Sequence, residues 1–259
     1  MARDPRMPAR LKLIVAYDGA PFSGWQSQRN GNGIQDHLER AFEQICSERV
    51  RVHGAGRTDA GVHAFAQCAH VDLPSRRYGE KRWRSALNGV LPAAIRIMQC
   101  RFVAESFHAR FSAKGKLYRY RIWNGEVLPP LENGRAWHVR DPLDRAALAA
   151  AASLFAGSHD FASFAANRGA PVDDTTRTLR TVRVRHAGPL ISIEFEADGF
   201  LYKMVRLMVG ALVEVGSGKE SPDEIQSRLH HPKQRFSHAR NVAPAAGLFL
   251  IRVRYQACF

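Results

Sequence analysis

The segment best equipped for chemistry is Gly54-Ala-Gly-Arg-Thr-Asp-Ala-Gly-Val-His-Ala64. Gly54, Gly56 and Gly61 permit positive φ and close approach of a ligand to the backbone. Arg57 and Asp59 stand two residues apart inside it. A guanidinium there suits a phosphate. A carboxylate in the same anion-friendly loop costs free energy unless it reacts or pairs with the arginine. Two readings stay open at this level: a site built on Asp59, or a Gly-rich turn closed by an Arg57–Asp59 ion pair. The segment lacks the Gly-Lys-Ser/Thr ending of a P-loop, and its glycine spacing does not suit a dinucleotide fingerprint. Asp59, His53 and His63 have no familiar metal-ligand spacing. The chain has no Gly-x-Ser-x-Gly elbow for a serine nucleophile.

Other candidates lie further along. Leu117 to Trp123 alternates Tyr118, Tyr120 and Ile122 with Arg119 and Arg121, a strand pattern. Tyr118 lies among Lys114, Lys116, Arg119 and Arg121, as in a groove that tracks phosphates. Arg76, Arg77, Lys81, Arg82 and Arg84 form a second basic cluster. Arg206 sits in an apolar helical pattern, where a cation needs a partner or a route to solvent.

The elements that must position these groups read as follows. Residues 11–17 form a strand, and Ile34, Leu38, Phe42 and Ile45 mark an amphipathic helix over 34–47. Strands at 50–53 and 66–73 flank the Gly-rich segment. A helix over 78–88 and a strand over 95–102 follow. The second half has a strand at 117–123 and a Pro/Gly-rich loop at 125–141. A helix over 143–155 is opened by Asp141-Pro142. Next come a hairpin of 181–186 and 191–197, helices over 201–215 and 221–229, and a strand over 248–255. Each half thus reads strand–helix–strand twice, the ferredoxin-like order. The expected architecture is α+β: two such lobes whose antiparallel sheets join, with a ligand-binding cleft between them. The expected division is a flexible basic arm at 1–10, a lobe over 11–108 carrying the Asp59 loop, and a lobe over 109–259 carrying Tyr118 and Arg206.

Composition narrows the class. The 259 residues are 45% hydrophobic, which suits a packed core rather than general disorder. Lys and Arg outnumber Asp and Glu by 38 to 24, a net charge of +14. Such an excess points to a polyanion: nucleic acid first, an anionic membrane surface second. No basic amphipathic helix or lipidation motif supports the membrane. The cysteines, Cys46, Cys68, Cys100 and Cys258, form no C-x-x-C pair and read as reduced thiols of a cytoplasmic protein. The first ten residues lack the apolar run of a signal peptide, and no membrane span is expected.

Gly56-Arg-Thr-Asp-Ala-Gly-Val-His-Ala64 resembles the signature of the tRNA pseudouridine synthase A family. Further blocks resemble that family in order: Tyr17-Asp-Gly-Ala-Pro-Phe-Ser-Gly-Trp-Gln26, Phe107–Ser112 with Lys116–Arg121, Ser158–Phe164, Phe200–Gly210 and Ala243–Leu250. The resemblance implies an isomerase that converts uridine to pseudouridine at positions 38, 39 and 40 of the tRNA anticodon stem–loop, and it makes the cleft between the lobes an RNA-binding cleft. It implies Asp59 as the catalytic carboxylate acting on a flipped-out uridine, and Arg206 as the cation that pairs with and orients it. Tyr118 becomes the residue that stacks on the target uracil. Arg57 and Arg110 become candidates for holding the nucleotide backbone. His63 and His108 are expected to be structural. No cofactor and no metal are implied; a homodimer is. Attack on the sugar, attack on the base and elimination all remain open for Asp59, as do other uridines and a non-catalytic RNA-binding role.

Overall fold

The computed structural model describes residues 9–166, 174–232 and 241–256. In chain order the elements are β1 (Ala9–Tyr17), α1 (Ile34–Cys46), β2 (Val52–Gly54), β3 (His63–Leu73), α2 (Glu80–Val90) and β4 (Ile95–Val103). They continue with β5 (Ala113–Asn124), β6 (Trp137–Val139), α3 (Arg145–Ser153), β7 (Gly157–Asp160), β8 (Thr176–Ala187) and β9 (Leu190–Ala197). Last come α4 (Met204–Gly216), α5 (Pro222–His230) and β10 (Leu248–Tyr255). The fold is mixed α and β, with five α-helices among the described residues. No helix among them is long and apolar enough to cross a membrane. The chain divides into two compact units: residues up to Lys114 together with those from Leu250 onward, and Gly115–Phe249.

In the first unit, β1 shows why a strand forms. Leu11, Leu13, Val15 and Tyr17 point to the core and the residues between them do not. The antiparallel order is β4-β1-β3, and β2 pairs antiparallel with β3. The helices cover the core face: Ile34, Leu38 and Phe42 of α1 and Trp83 and Leu87 of α2 are buried, and the Phe42 and Trp83 rings lie 5.4 Å apart. A smaller apolar cluster joins Ala55, Cys68 and Ala109 to Ile14, Phe107, Val253 and Tyr255.

Two expectations change here. The basic arm was drawn through residue 10, but Ala9 and Arg10 already belong to β1. Arg10 is held by Asp72 at 2.6 and 2.8 Å, by the Phe107 carbonyl at 2.8 Å and by the Glu105 carbonyl. A paired guanidinium on a laddered strand is not a flexible contact; residues 1–8 of the arm lie outside the described residues, as does Cys258. The lobe boundary drawn at 108/109 also moves, to 114/115, and the C-terminal strand returns to the first unit. The reason is Tyr255, whose ring lies 5.1 Å from Phe107 and whose hydroxyl donates to the Ala109 carbonyl at 2.6 Å.

In the second unit the strand order is β5-β9-β8-β7, with β6 parallel to β5. The 125–141 segment, expected as loop alone, therefore contributes a short strand. Helix α3 begins later than the Asp141-Pro142 signal suggests, because Asp144 is the cap: its Oδ1 accepts from the amides of Ala146 and Ala147, both at 2.9 Å. Helix α4 is buried along nearly its whole length, Arg206 and Glu214 excepted. Phe155, Phe161 and Phe164 complete an aromatic core, with Phe155 edge-on to Phe164 at 5.0 Å.

Candidate active site

The loop between β2 and β3 is held by backbone and side-chain bonds rather than by secondary structure. The Ala55 amide donates to the Cys68 carbonyl at 2.8 Å, and Gln67 Nε2 donates to the Gly56 carbonyl at 2.9 Å. The Val62 amide closes a turn on the Asp59 carbonyl at 3.1 Å. Gly61, third residue of that turn, has φ +78°, which a side chain disfavours. Thr58 is buried and Asp59 half-buried, whereas Arg57 is exposed.

The 17–26 block folds directly onto this loop. The Trp25 amide donates to the Thr58 carbonyl at 3.0 Å. Tyr17 Oη and Thr58 Oγ1 lie 2.8 Å apart. Burial raises the Tyr17 phenol well above its ordinary range, so it stays protonated in this bond. The Gly19 amide donates to His63 Nδ1 at 3.1 Å, which makes the buried His63 an anchor of the block. Gly24 takes φ +94°, and a Cβ on it would stand 2.7 Å from the Thr58 oxygen and 3.0 Å from both the Asp59 carbonyl carbon and the Ala60 nitrogen. The Asp59 peptide is therefore packed against bare backbone. Such a support fixes where a carboxylate starts from and limits its wander, the preorganisation that a catalytic acid or nucleophile needs.

In the second unit, Tyr118 stands on β5 opposite Phe195 of β9 and is 8% exposed. The Phe200 ring meets it edge-on at 5.0 Å. Tyr120, on the same face, is fully buried and donates its hydroxyl to the Pro244 carbonyl at 2.7 Å. Arg206 is half-buried on α4. Its Nε donates to the Ala243 carbonyl at 2.7 Å, and the Ala243 amide donates back to the Arg206 carbonyl at 3.1 Å. The guanidinium is thereby aimed by a reciprocal pair to a segment 37 residues away.

The basic run around Tyr118 is not a continuous cationic track. Arg119 pairs with Glu194, its neighbour across the ladder, at 2.7 Å, and Arg121 with Glu132 at 2.8 Å. The second basic cluster stays more open: Arg77, Lys81, Arg82 and Arg84 are exposed, and Arg82 and Arg77 lie over the Tyr78 ring at 4.4 and 5.3 Å. Arg110 is exposed on the loop before β5. Asp59, Arg57 and Arg110 thus belong to the first unit, Tyr118 and Arg206 to the second.

The sequence pointed to Asp59 and Arg206 as candidates and not to the residues that hold them: Tyr17, Gly24, Thr58 and Gln67 in one unit, Gly210 and Ala243 in the other. A Cβ on Gly210 would stand 1.7 Å from the Asn241 oxygen. The glycines inside the 17–26 and 200–210 blocks were the available signal, since glycine in an apolar helix or a structured turn marks close backbone approach.

The sequence profile of the family described as tRNA pseudouridine synthase matches residues 13–112 and 151–256. The chain belongs to that family. It is an isomerase whose reaction is pseudouridine formation in tRNA. A relative from Akkermansia muciniphila named tRNA pseudouridine synthase A is 44% identical over 256 residues, covering 95% of each chain. One of the same name from Solidesulfovibrio magneticus is 46% identical over 257 residues, covering 96% of this chain and 92% of its own. A third, from Acetivibrio thermocellus, is 42% identical over 245 residues, covering 95% and 99%.

Proposed function

We propose that this synthase isomerises uridines 38, 39 and 40 in the anticodon stem–loop of tRNA, with Asp59 as the catalytic carboxylate. Uridine and pseudouridine have the same atoms. The N1–C1′ bond breaks, the base turns, C5 bonds to C1′, C5 gives up its proton and N1 gains one. The step needs no oxidant and no co-substrate. Asp59 acts as nucleophile and Arg206 is the cation that pairs with and orients it. Tyr118 stacks on the uracil taken out of its helix. Arg57 and Arg110 hold the backbone of the flipped nucleotide, and the exposed cluster on α2 takes phosphates elsewhere. The reading extends to a cytoplasmic homodimer and to ferredoxin-like architecture in both units; the β4-β1-β3-β2 neighbours support it for the first.

The observation that carries the proposal is the Asp59 peptide packed against Gly24 in a residue that is only half-buried. The test is pseudouridine mapping on an unmodified tRNA transcript. Wild type should modify positions 38–40, and Asp59→Ala should lose turnover while binding tRNA nearly as well, since phosphate contacts dominate affinity. Full activity in Asp59→Ala, or product confined to other positions, would defeat it.

A further inference from the structure

Phe111 is 75% exposed, one of the most open large apolar side chains among the described residues. A lone exposed apolar residue is ordinary. What sets this one apart is the loop that presents it. Every backbone amide from Phe107 to Ala113 has a partner. Phe107 bonds to Ala104, His108 to the Ser112 hydroxyl at 3.0 Å, and Ala109 to the buried His70 Nδ1 at 3.1 Å. The amides of Arg110 and Phe111 both donate to His108 Nδ1, at 3.1 and 3.3 Å. Ser112 and Ala113 close back on the His108 and Arg110 carbonyls. Below, Phe107 packs on Tyr255, and Lys12 Nζ lies 4.3 Å from that ring's centroid.

On this rigid base three planar or charged groups gather. The His108 ring lies 4.3 Å from Phe111 at 31°, close to stacked. The Arg110 guanidinium stands 5.7 Å from the Phe111 centroid and is exposed. Asp72, the carboxylate facing the neighbouring histidines, is taken up by Arg10. Burial, together with His53, Arg10 and Arg110, lowers the proton affinity of His108, so its Nδ1 stays an acceptor. The result is an open aromatic face, backed by a second ring and flanked by a cation, held in place before any ligand arrives.

We propose that Phe111, backed by His108, is a stacking platform for an unpaired base of the tRNA substrate, separate from the uridine that reacts. This rests on tRNA being the substrate. Aromatic rings stack on any exposed base, and a nearby arginine adds attraction to the phosphate beside it. A rigid platform loses little conformational freedom on binding. The occupant favoured is RNA, because the exposed cation beside the ring and the net charge of +14 complement a polyanion.

The test uses the full chain and an unmodified tRNA transcript, with affinity measured across a salt series. Phe111→Ala should weaken binding about 5- to 150-fold, the range that base–aromatic stacking carries. Phe111→Leu should fail similarly, while Phe111→Trp stays within about threefold of wild type. The slope of log affinity against log salt should not change, because no phosphate contact is lost. Turnover at saturating tRNA should hold. Unchanged affinity in Phe111→Ala overturns the inference, as does Phe111→Leu binding like wild type. A Phe111→Ala protein with normal RNA affinity but a halved mass in sedimentation overturns it in favour of self-association. These outcomes are separable from the proposed reaction: wild type making pseudouridine with Phe111→Ala unaffected sinks the platform alone, and wild type making none sinks the reaction alone.

Discussion

Gly24→Ala tests whether the support beneath Asp59 matters to the chemistry. Two costs arise. The φ of +94° is one that L side chains rarely adopt, worth about 1–2 kcal/mol for a non-glycine residue. The added Cβ would also sit 2.7 Å from the Thr58 oxygen and 3.0 Å from the Asp59 carbonyl carbon. Restoring ordinary contact moves the 58–60 backbone by about half an ångström, and overpacking of this kind costs ~1–3 kcal/mol more. Stability should therefore fall by ~2–5 kcal/mol in urea denaturation. Catalysis should fall further than folding alone predicts. A reacting group displaced by ~1 Å can lose ~100-fold, so a shift about half as large should cut kcat about 10-fold or more. Affinity for tRNA should hold within a few-fold, since no phosphate contact is touched. The assay is single-turnover pseudouridine formation on unmodified tRNA, at a temperature where both proteins remain folded. Gly89→Ala is the control: its Cβ meets nothing within 4 Å, and in α2 it should add ~0.5–1 kcal/mol with kcat unchanged. A folded Gly24→Ala protein with wild-type kcat would refute the reasoning that the Gly24 contact places Asp59.

Two further outcomes follow from buried groups. Burial, then His108, Arg10 and His53, lower His70 to about 4 against the opposing pull of Asp72, while the unfolded chain titrates near 6.5. The unfolded state binds the extra proton first, so stability should drop as pH falls from about 6.5 to 4, by no more than ~3 kcal/mol, and level off below. His70→Asn, which keeps an acceptor for the Ala109 amide, should flatten that part of the urea-midpoint curve; superimposable curves would contradict the assignment. Gly210→Ala drives a Cβ to within 1.7 Å of the Asn241 oxygen, so α4 and the 241–244 segment must part. The melting temperature should fall by ~5 °C or more, and the Arg206–Ala243 pair should loosen, lowering kcat even after correction for the unfolded fraction.

Much of the fold is written locally. The apolar spacing of Ile34, Leu38 and Phe42 marks α1 to within a residue of its end, and β10 runs over the expected residues. The short helix expected over 221–229 appears one residue later as α5, with Ser221 as its cap: the Ser221 amide donates to Glu224 Oε2 at 3.3 Å. The candidate loop is also legible, because glycines and an unexplained acid stand out among basic residues. Such signals need only neighbours within a turn or two of chain.

The misses share one physical origin. The sequence pointed to Asp141-Pro142 as the opening of α3, and only packing decided that Asp144 holds the free amides. Strands β6 and β7 are three and four residues long and exist because β5 and β8 offer them partners. Alternation put Arg119 and Arg121 on one face, but nothing near them foretold that Glu194 and Glu132 would neutralise them. Residue types and short-range periodicity select the element and mark the candidate side chain, since both depend on bonds a few residues long. Which backbone lies against Asp59, and which carbonyl aims Arg206, is settled by contacts between segments tens of residues apart, whose free energy appears only when the chain closes on itself.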